Sequence, residues 1–116
     1  MSKPMGPYSP VVRAGDWLIV SGQIGMKDGV LAEGVSAQTA QAIENVAGHL
    51  ATEGASLTDV AKTLCFLTDM GDFGVFNEAY IGSFGDHRPA RSTVGVAALP
   101  GDGAVVEIEA WAYRPS

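Results

Sequence analysis

Residues 105–113 alternate without interruption. Val106, Ile108, Ala110 and Ala112 take one side of an extended chain, and Glu107, Glu109, Trp111 and Tyr113 take the other. A period of two over this length fits a strand with one face on a core and one face open. Whatever else the chain forms must therefore supply a layer to cover the apolar side. A second strand is predicted over Pro89–Val96, rich in β-branched residues, with Arg91, Thr93 and Gly95 on one face and Ser92, Val94 and Val96 on the other. If these two segments pair through the turn residues Leu99–Gly103, an arginine and a glutamate line one polar pocket. A planar guanidinium grips a carboxylate with two bonds, and a neighbouring glutamate handles water or a proton.

The remainder of the chain supplies the other strands and the cover. Val11–Arg13 and Trp17–Ser21 read as a hairpin across Ala14-Gly15-Asp16, after a loose arm over Met1–Pro7. A tight turn is expected at Lys27-Asp28-Gly29, with a short strand at Val30-Leu31. Ser36 is a candidate N-cap for a first helix. Ala40, Ile43, Val46-Ala47 and Leu50 form its apolar side, Gln41, Glu44, Asn45 and His49 its polar side, and Gly54 its C′ stop. After a turn or short helical entry at Leu57–Val60, Ala61–Leu67 reads as a strand. Asp72 is placed to cap a second helix, in which Phe73, Phe76, Tyr80 and Phe84 share a face. The order β-β-α-β-α-β-β gives a two-layer α+β fold, a mixed sheet covered on one face by two helices. With 116 residues, and no linker or repeat, the expected organisation is one domain over residues 1–116.

Composition narrows the function. Hydrophobic residues make up 47% of the chain and charged residues 17%, which leaves surplus apolar surface for a chain of this size. The net charge of −6 argues against a binder of nucleic-acid backbones. Cys65 is the one cysteine, so no intrachain disulfide forms, and a reducing, cytoplasmic setting is expected. Lys3, Pro4 and Gly6 do not resemble the start of a signal peptide, and no apolar run is long enough to span a membrane. His49, His87 and Cys65 show no metal-ligand spacing. Gly22-Gln23-Ile24-Gly25 lacks both a dinucleotide fingerprint and a phosphate-loop lysine.

Four motifs in order carry a resemblance: Gly6-Pro7-Tyr8-Ser9-Pro10, Val20-Ser21-Gly22-Gln23-Ile24, Asn77 within Phe76-Asn77-Glu78-Ala79-Tyr80, and Pro89-Ala90-Arg91-Ser92 followed by Leu99-Pro100 and Val106–Ala110. Together they resemble the RidA (YjgF-like) family of reactive-intermediate deaminases, from about Gly6 to Tyr113. The resemblance implies a chorismate-mutase-like fold and a homotrimer with active sites between subunits. It implies hydrolysis of enamines and imines such as 2-aminoacrylate to 2-keto acids and ammonia, with no metal or organic cofactor. It assigns Arg91 to the substrate carboxylate, Glu107 to the attacking water, and Tyr8, Ser21, Gly22, Asn77 and Thr93 to the pocket.

The residues themselves leave alternatives. Arg91 serves equally as half of a structural ion pair with Glu107 or Glu109. Paired strand glutamates are commonly a solvated face, Tyr8 an ordinary packed aromatic, Ser21 a strand-end residue and Asn77 a solvent-facing one. Thr93 stands where well-known family members carry cysteine, so no thiol chemistry occurs there, while its backbone N–H still serves. Cys65 reads as a buried small hydrophobe, and Arg88 and His87, beside Arg91, as exposed loop charges or as residues that tune the pocket entrance. A carboxylate-binding or protein-partner module without turnover would keep every one of these motifs. Endoribonuclease activity, also attributed to some family members, is weakened by the acidic balance.

Overall fold

The computed structural model describes residues 6–116; the first five residues of the predicted arm lie outside the described residues. The chain runs β1 (Val11–Ala14), β2 (Trp17–Ile24), β3 (Met26–Lys27), β4 (Val30–Leu31), α1 (Gly34–Ala51), β5 (Val60–Leu67), α2 (Phe73–Phe84), β6 (Ala90–Gly95) and β7 (Val106–Tyr113). Single 3₁₀ turns at Leu57–Asp59 and Met70–Asp72 lead into β5 and α2. β3 and β4 form a small hairpin whose turn has positive φ at both Asp28 and Gly29, the geometry that matches the twist of the flanking strands. Met26–Lys27 was not anticipated as a strand, because two residues carry no readable alternation.

The main sheet has the order β1-β2-β7-β5-β6. All its neighbours are antiparallel except β5 and β6, which run parallel because α2 carries the chain back between them. The expected two-layer arrangement is present. Leu18, Val20, Cys65, Leu67, Val106, Ile108, Ala110 and Ala112 form a buried sheet face under Ala42, Ile43, Val46, Leu50 and Phe76 of the helices. Alanines at 42, 110 and 112 let α1 approach the sheet closely, and Gly25 allows the same at the end of β2. A Cβ there would lie 2.5 Å from the Gln38 Cα.

The structure corrects the expected pairing of the two C-terminal strands. β6 and β7 do not form a hairpin, because β5 lies between them. The ten residues from Val96 to Val105 are too long for a tight turn and cross the end of the sheet instead. Gln38 holds this crossing, donating to the Gly103 carbonyl at 3.1 Å and accepting from the Val105 N–H at 2.9 Å.

Three details of the helices also differ. The α1 helix begins at Gly34, whose φ of +86° turns the chain into the helix, so Ser36 is an exposed residue inside the first turn and not the cap. The buried stripe passes through Ala42, Ile43, Val46, His49 and Leu50, which leaves Ala40 exposed and His49 inside. Asp69, and not Asp72, makes the capping bond before α2, accepting from the Gly71 N–H at 2.8 Å. Gly54 ends α1 as expected: at φ +76° its N–H bonds the Ala51 carbonyl, and Ala55 N–H bonds that of Leu50.

Candidate functional site

Parity along β5 decides where the predicted site residues go. Arg91 is level with Thr63 and Glu107 is level with Phe66. Thr63 and Phe66 are an odd number of residues apart and so point to opposite faces of the sheet. Arg91 and Thr93 therefore share the helix-covered face, whereas Glu107 and Glu109 share the open one. The predicted residues form two clusters on opposite sides of one chain.

On the helix side, Arg91 lies against α2. Its Cζ is 4.9 Å from the Tyr80 ring centroid, 5.4 Å from that of Phe76 and 5.6 Å from that of Phe73. Stacking of this kind contributes about 0.5–2 kcal/mol according to how dry the contact is. The half-buried guanidinium makes no hydrogen bond or ion pair among the described residues, so the structural ion pair with Glu107 or Glu109 is absent. Tyr80 is fixed in turn by a 2.8 Å hydrogen bond between its hydroxyl and that of Thr63. Arg91 opens into a cavity of about 280 Å³ shared with Asn77, Tyr80, Ile81, Arg88 and Pro89. Asn77 is half-buried, not solvent-facing, and its Oδ1 is buried with no partner among the described residues. The same is true of Thr93 Oγ1, which lies on the Arg91 face but does not line this cavity.

On the open side, Tyr8, Ser21, Gly22, Pro100, Glu107 and Glu109 line a cavity of about 360 Å³. A β-bulge builds it. Between the pairs Val20–Ala110 and Gln23–Ile108, β2 has two residues where β7 has one, and the extra length falls at Ser21-Gly22. Ser21 then ties down the N-terminal arm, donating from Oγ to the Ser9 carbonyl at 2.6 Å and from its N–H to that of Pro10 at 2.9 Å. Gly22 leaves room for Glu107, since a Cβ at Gly22 would lie 2.7 Å from the Glu107 carboxyl carbon. Burial first, and the neighbouring Glu109 charge second, push the Glu107 carboxyl above its ordinary value of 4.5. Glu109 accepts from the Trp111 indole N–H at 3.3 Å.

Cys65 takes no part in either cavity. Burial raises its thiol to about 11, so it stays protonated and packs as a hydrophobe. Among the described residues no three His, Cys, Asp or Glu side chains gather as a metal-binding group. Among the described residues no helix is long and apolar enough to cross a membrane. Sequence reasoning missed the role of Phe73, Phe76 and Tyr80 as the bed for Arg91. Their helical spacing showed a common face, but only the parallel β5–α2–β6 crossover puts Arg91 on it. Pro100 was quoted within a motif, yet its place beside Glu107 depends on the loop that Gln38 anchors.

The family model described as endoribonuclease L-PSP matches residues 1–114. A RutC family protein of Pyrococcus horikoshii is 44% identical over 115 residues, covering 97% of this chain and 90% of that one. The 2-iminobutanoate/2-iminopropanoate deaminase of Salmonella typhimurium is also 44% identical over 115 residues, covering 95% and 89% of the two chains. The crystal structure of RidA from an Antarctic Psychrobacter superposes with a TM-score of 0.91 at 42% identity, covering 96% and 91%.

Proposed function

This chain belongs to the YjgF/RidA family, and from that membership we propose that it hydrolyses short-lived 2-imino acids to 2-keto acids and ammonia, in a site completed by a second copy of the chain. The observation that carries this reading is Arg91: a guanidinium with no hydrogen-bond or ion-pair partner among the described residues, seated on three aromatic rings and facing a cavity. Holding such a group ready costs solvation, which a bound carboxylate returns through two charge-assisted hydrogen bonds.

The chemistry then needs little more. An imine carbon is already electrophilic. Water adds to it, forming a C–O bond; the C–N bond of the resulting carbinolamine breaks, nitrogen leaves as ammonia, and nothing is oxidised. Glu107, pushed up by burial, takes a proton from that water and is suited to returning it to the departing nitrogen. Tyr8 closes the cavity wall, Ser21 holds the arm that carries Tyr8, and Gly22 gives the carboxyl its space. Asn77 and the Thr93 backbone N–H orient the substrate beside Arg91. Positioning supplies most of the acceleration.

Because Arg91 and Glu107 face opposite ways in one chain, a common pocket requires the Arg91 side of one subunit to meet the Glu107 side of another. The homotrimer implied by the family supplies that meeting. Trp17, Val94, Trp111 and Tyr113 are exposed on the open face or beside it and give such an interface apolar surface. Ammonia and pyruvate released from enzymatically generated 2-aminoacrylate, compared with spontaneous decay, tests the proposal. Acceleration by catalytic amounts of protein is expected. Keto-acid binding without acceleration would favour a carboxylate-binding module instead.

A further inference from the structure

Arg88 is the feature that this mechanism leaves unused. It lies in the short connection between α2 and β6 and lines the same cavity as Arg91. Its Nη1 donates to the carbonyls of Gly85 and of His87, the latter at 3.1 Å, which holds the head in place without neutralising it. Nη2 and Nε have no partner among the described residues. The loop beneath is itself anchored: the His87 ring bonds the Val60 carbonyl at 2.7 Å and packs on Phe84. No acidic side chain lines the cavity, and none is within ion-pairing distance of either arginine among the described residues. The fields of both guanidiniums also reach the Tyr80 hydroxyl. Burial raises its pKa, and the Thr63 hydrogen bond and then Arg91 and Arg88 oppose that rise.

Two cations face one small cavity, Arg91 half-buried and Arg88 exposed at its edge, and among the described residues of the chain no carboxylate pairs with either; a dianion spanning the two would be attracted by both. We propose that Arg88 receives a second carboxylate, so that the preferred substrates are imino acids of the dicarboxylic type, with the α-carboxylate on Arg91 and the side-chain carboxylate on Arg88. This rests on the reading of Arg91 as the carboxylate anchor. A cavity of about 280 Å³ lies at the small end of ligand sites and suits a metabolite of a few carbons.

The test compares ligands of equal chain length. Calorimetry measures binding of 2-oxoglutarate and 2-oxopentanoate, which have the same chain length and differ by one terminal carboxylate. Hydrolysis is measured on the corresponding imines, released from glutamate and norvaline by an amino-acid oxidase. The expected ratio favours the dicarboxylate roughly tenfold, the effect of one charge-assisted bond. Arg88→Met should bring that ratio towards one, and Arg88→Glu should invert it, with circular dichroism and mass confirming fold and assembly. Equal affinities in the wild type, or a ratio that survives both substitutions, would overturn the proposal. If the norvaline imine is hydrolysed in an Arg91-dependent manner without any dicarboxylate preference, Arg88 alone loses its role. If no imine is hydrolysed, the deaminase reading fails, and the binding ratio still decides the role of Arg88.

Discussion

Arg91 and Glu107 stand on opposite faces of one sheet, on strands separated by β5. Among the described residues, neither side chain makes a hydrogen bond or ion pair. A guanidinium that is cushioned on aromatic rings, and a carboxylate whose charge is disfavoured by its surroundings, are the two parts of the proposed site, and a single subunit keeps them apart.

Arg91→Lys keeps the charge and removes the planar, two-bond grip. Losing one charge-assisted bond costs about 1.5–3 kcal/mol, roughly ten- to more than a hundredfold in affinity or rate. The fold should persist, because the sheet core under β6 does not use the guanidinium. Keto-acid binding and imine hydrolysis measure the loss; values near wild type in a folded protein would remove Arg91 as the anchor.

Gly22→Ala places a Cβ against the Glu107 carboxyl, where 2.7 Å is available. The carboxyl must move, at a cost of about 1–3 kcal/mol. Turnover should fall more than keto-acid affinity, since Arg91 is untouched. Equal losses in both, by kinetics and calorimetry, would mean that Glu107 has no separate role in the chemical step.

The pH profile follows from Glu107. Its carboxyl is raised by burial and by Glu109, and it must be ionised to accept a proton. The rate should therefore rise with pH along a limb lying above the ordinary 4.5. Glu109→Gln removes the like charge and should move that limb downwards, leaving the part caused by burial. A limb that stays in place would break the link between the two residues.

Much of this fold was legible in the sequence. The alternation in β7 gave its element and its buried side, the apolar run of β5 gave its element, and the spacing of Phe73, Phe76, Tyr80 and Phe84 gave a common helix face, of which Phe73 is exposed. The Gly54 stop was equally local. Strand order was not legible, because the alternation in β6 and β7 is the same whether they pair or flank β5. That one ambiguity hid the fact that the expected site residues line two separate cavities. His49 was misplaced for a related reason: a histidine between polar neighbours reads as surface until the phase of the helix is known.

His49 also gives a stability prediction. It is 2% exposed, and its Nδ1 has no partner among the described residues. Burial lowers its pKa below 6.5. Between that lowered value and 6.5 the unfolded chain binds a proton that the folded chain refuses. Stability from this group is full above 6.5 and is lost as the pH falls towards the lowered value. Denaturant titrations across that range should show the decline, and His49→Leu should flatten it. An unchanged slope would place the acid sensitivity elsewhere.

Mixing two inactive variants tests the shared site most directly. Arg91→Ala and Glu107→Gln each remove one half of every pocket. Unfolded together and reassembled at equal amounts, they form mixed oligomers in which some interfaces join an intact Arg91 side to an intact Glu107 side. Random assembly of neighbouring subunits restores about a quarter of the pockets. The account predicts recovery of imine hydrolysis near that fraction, with mass spectrometry confirming mixed assembly. Mixed oligomers that stay as inactive as the separate variants would contradict it.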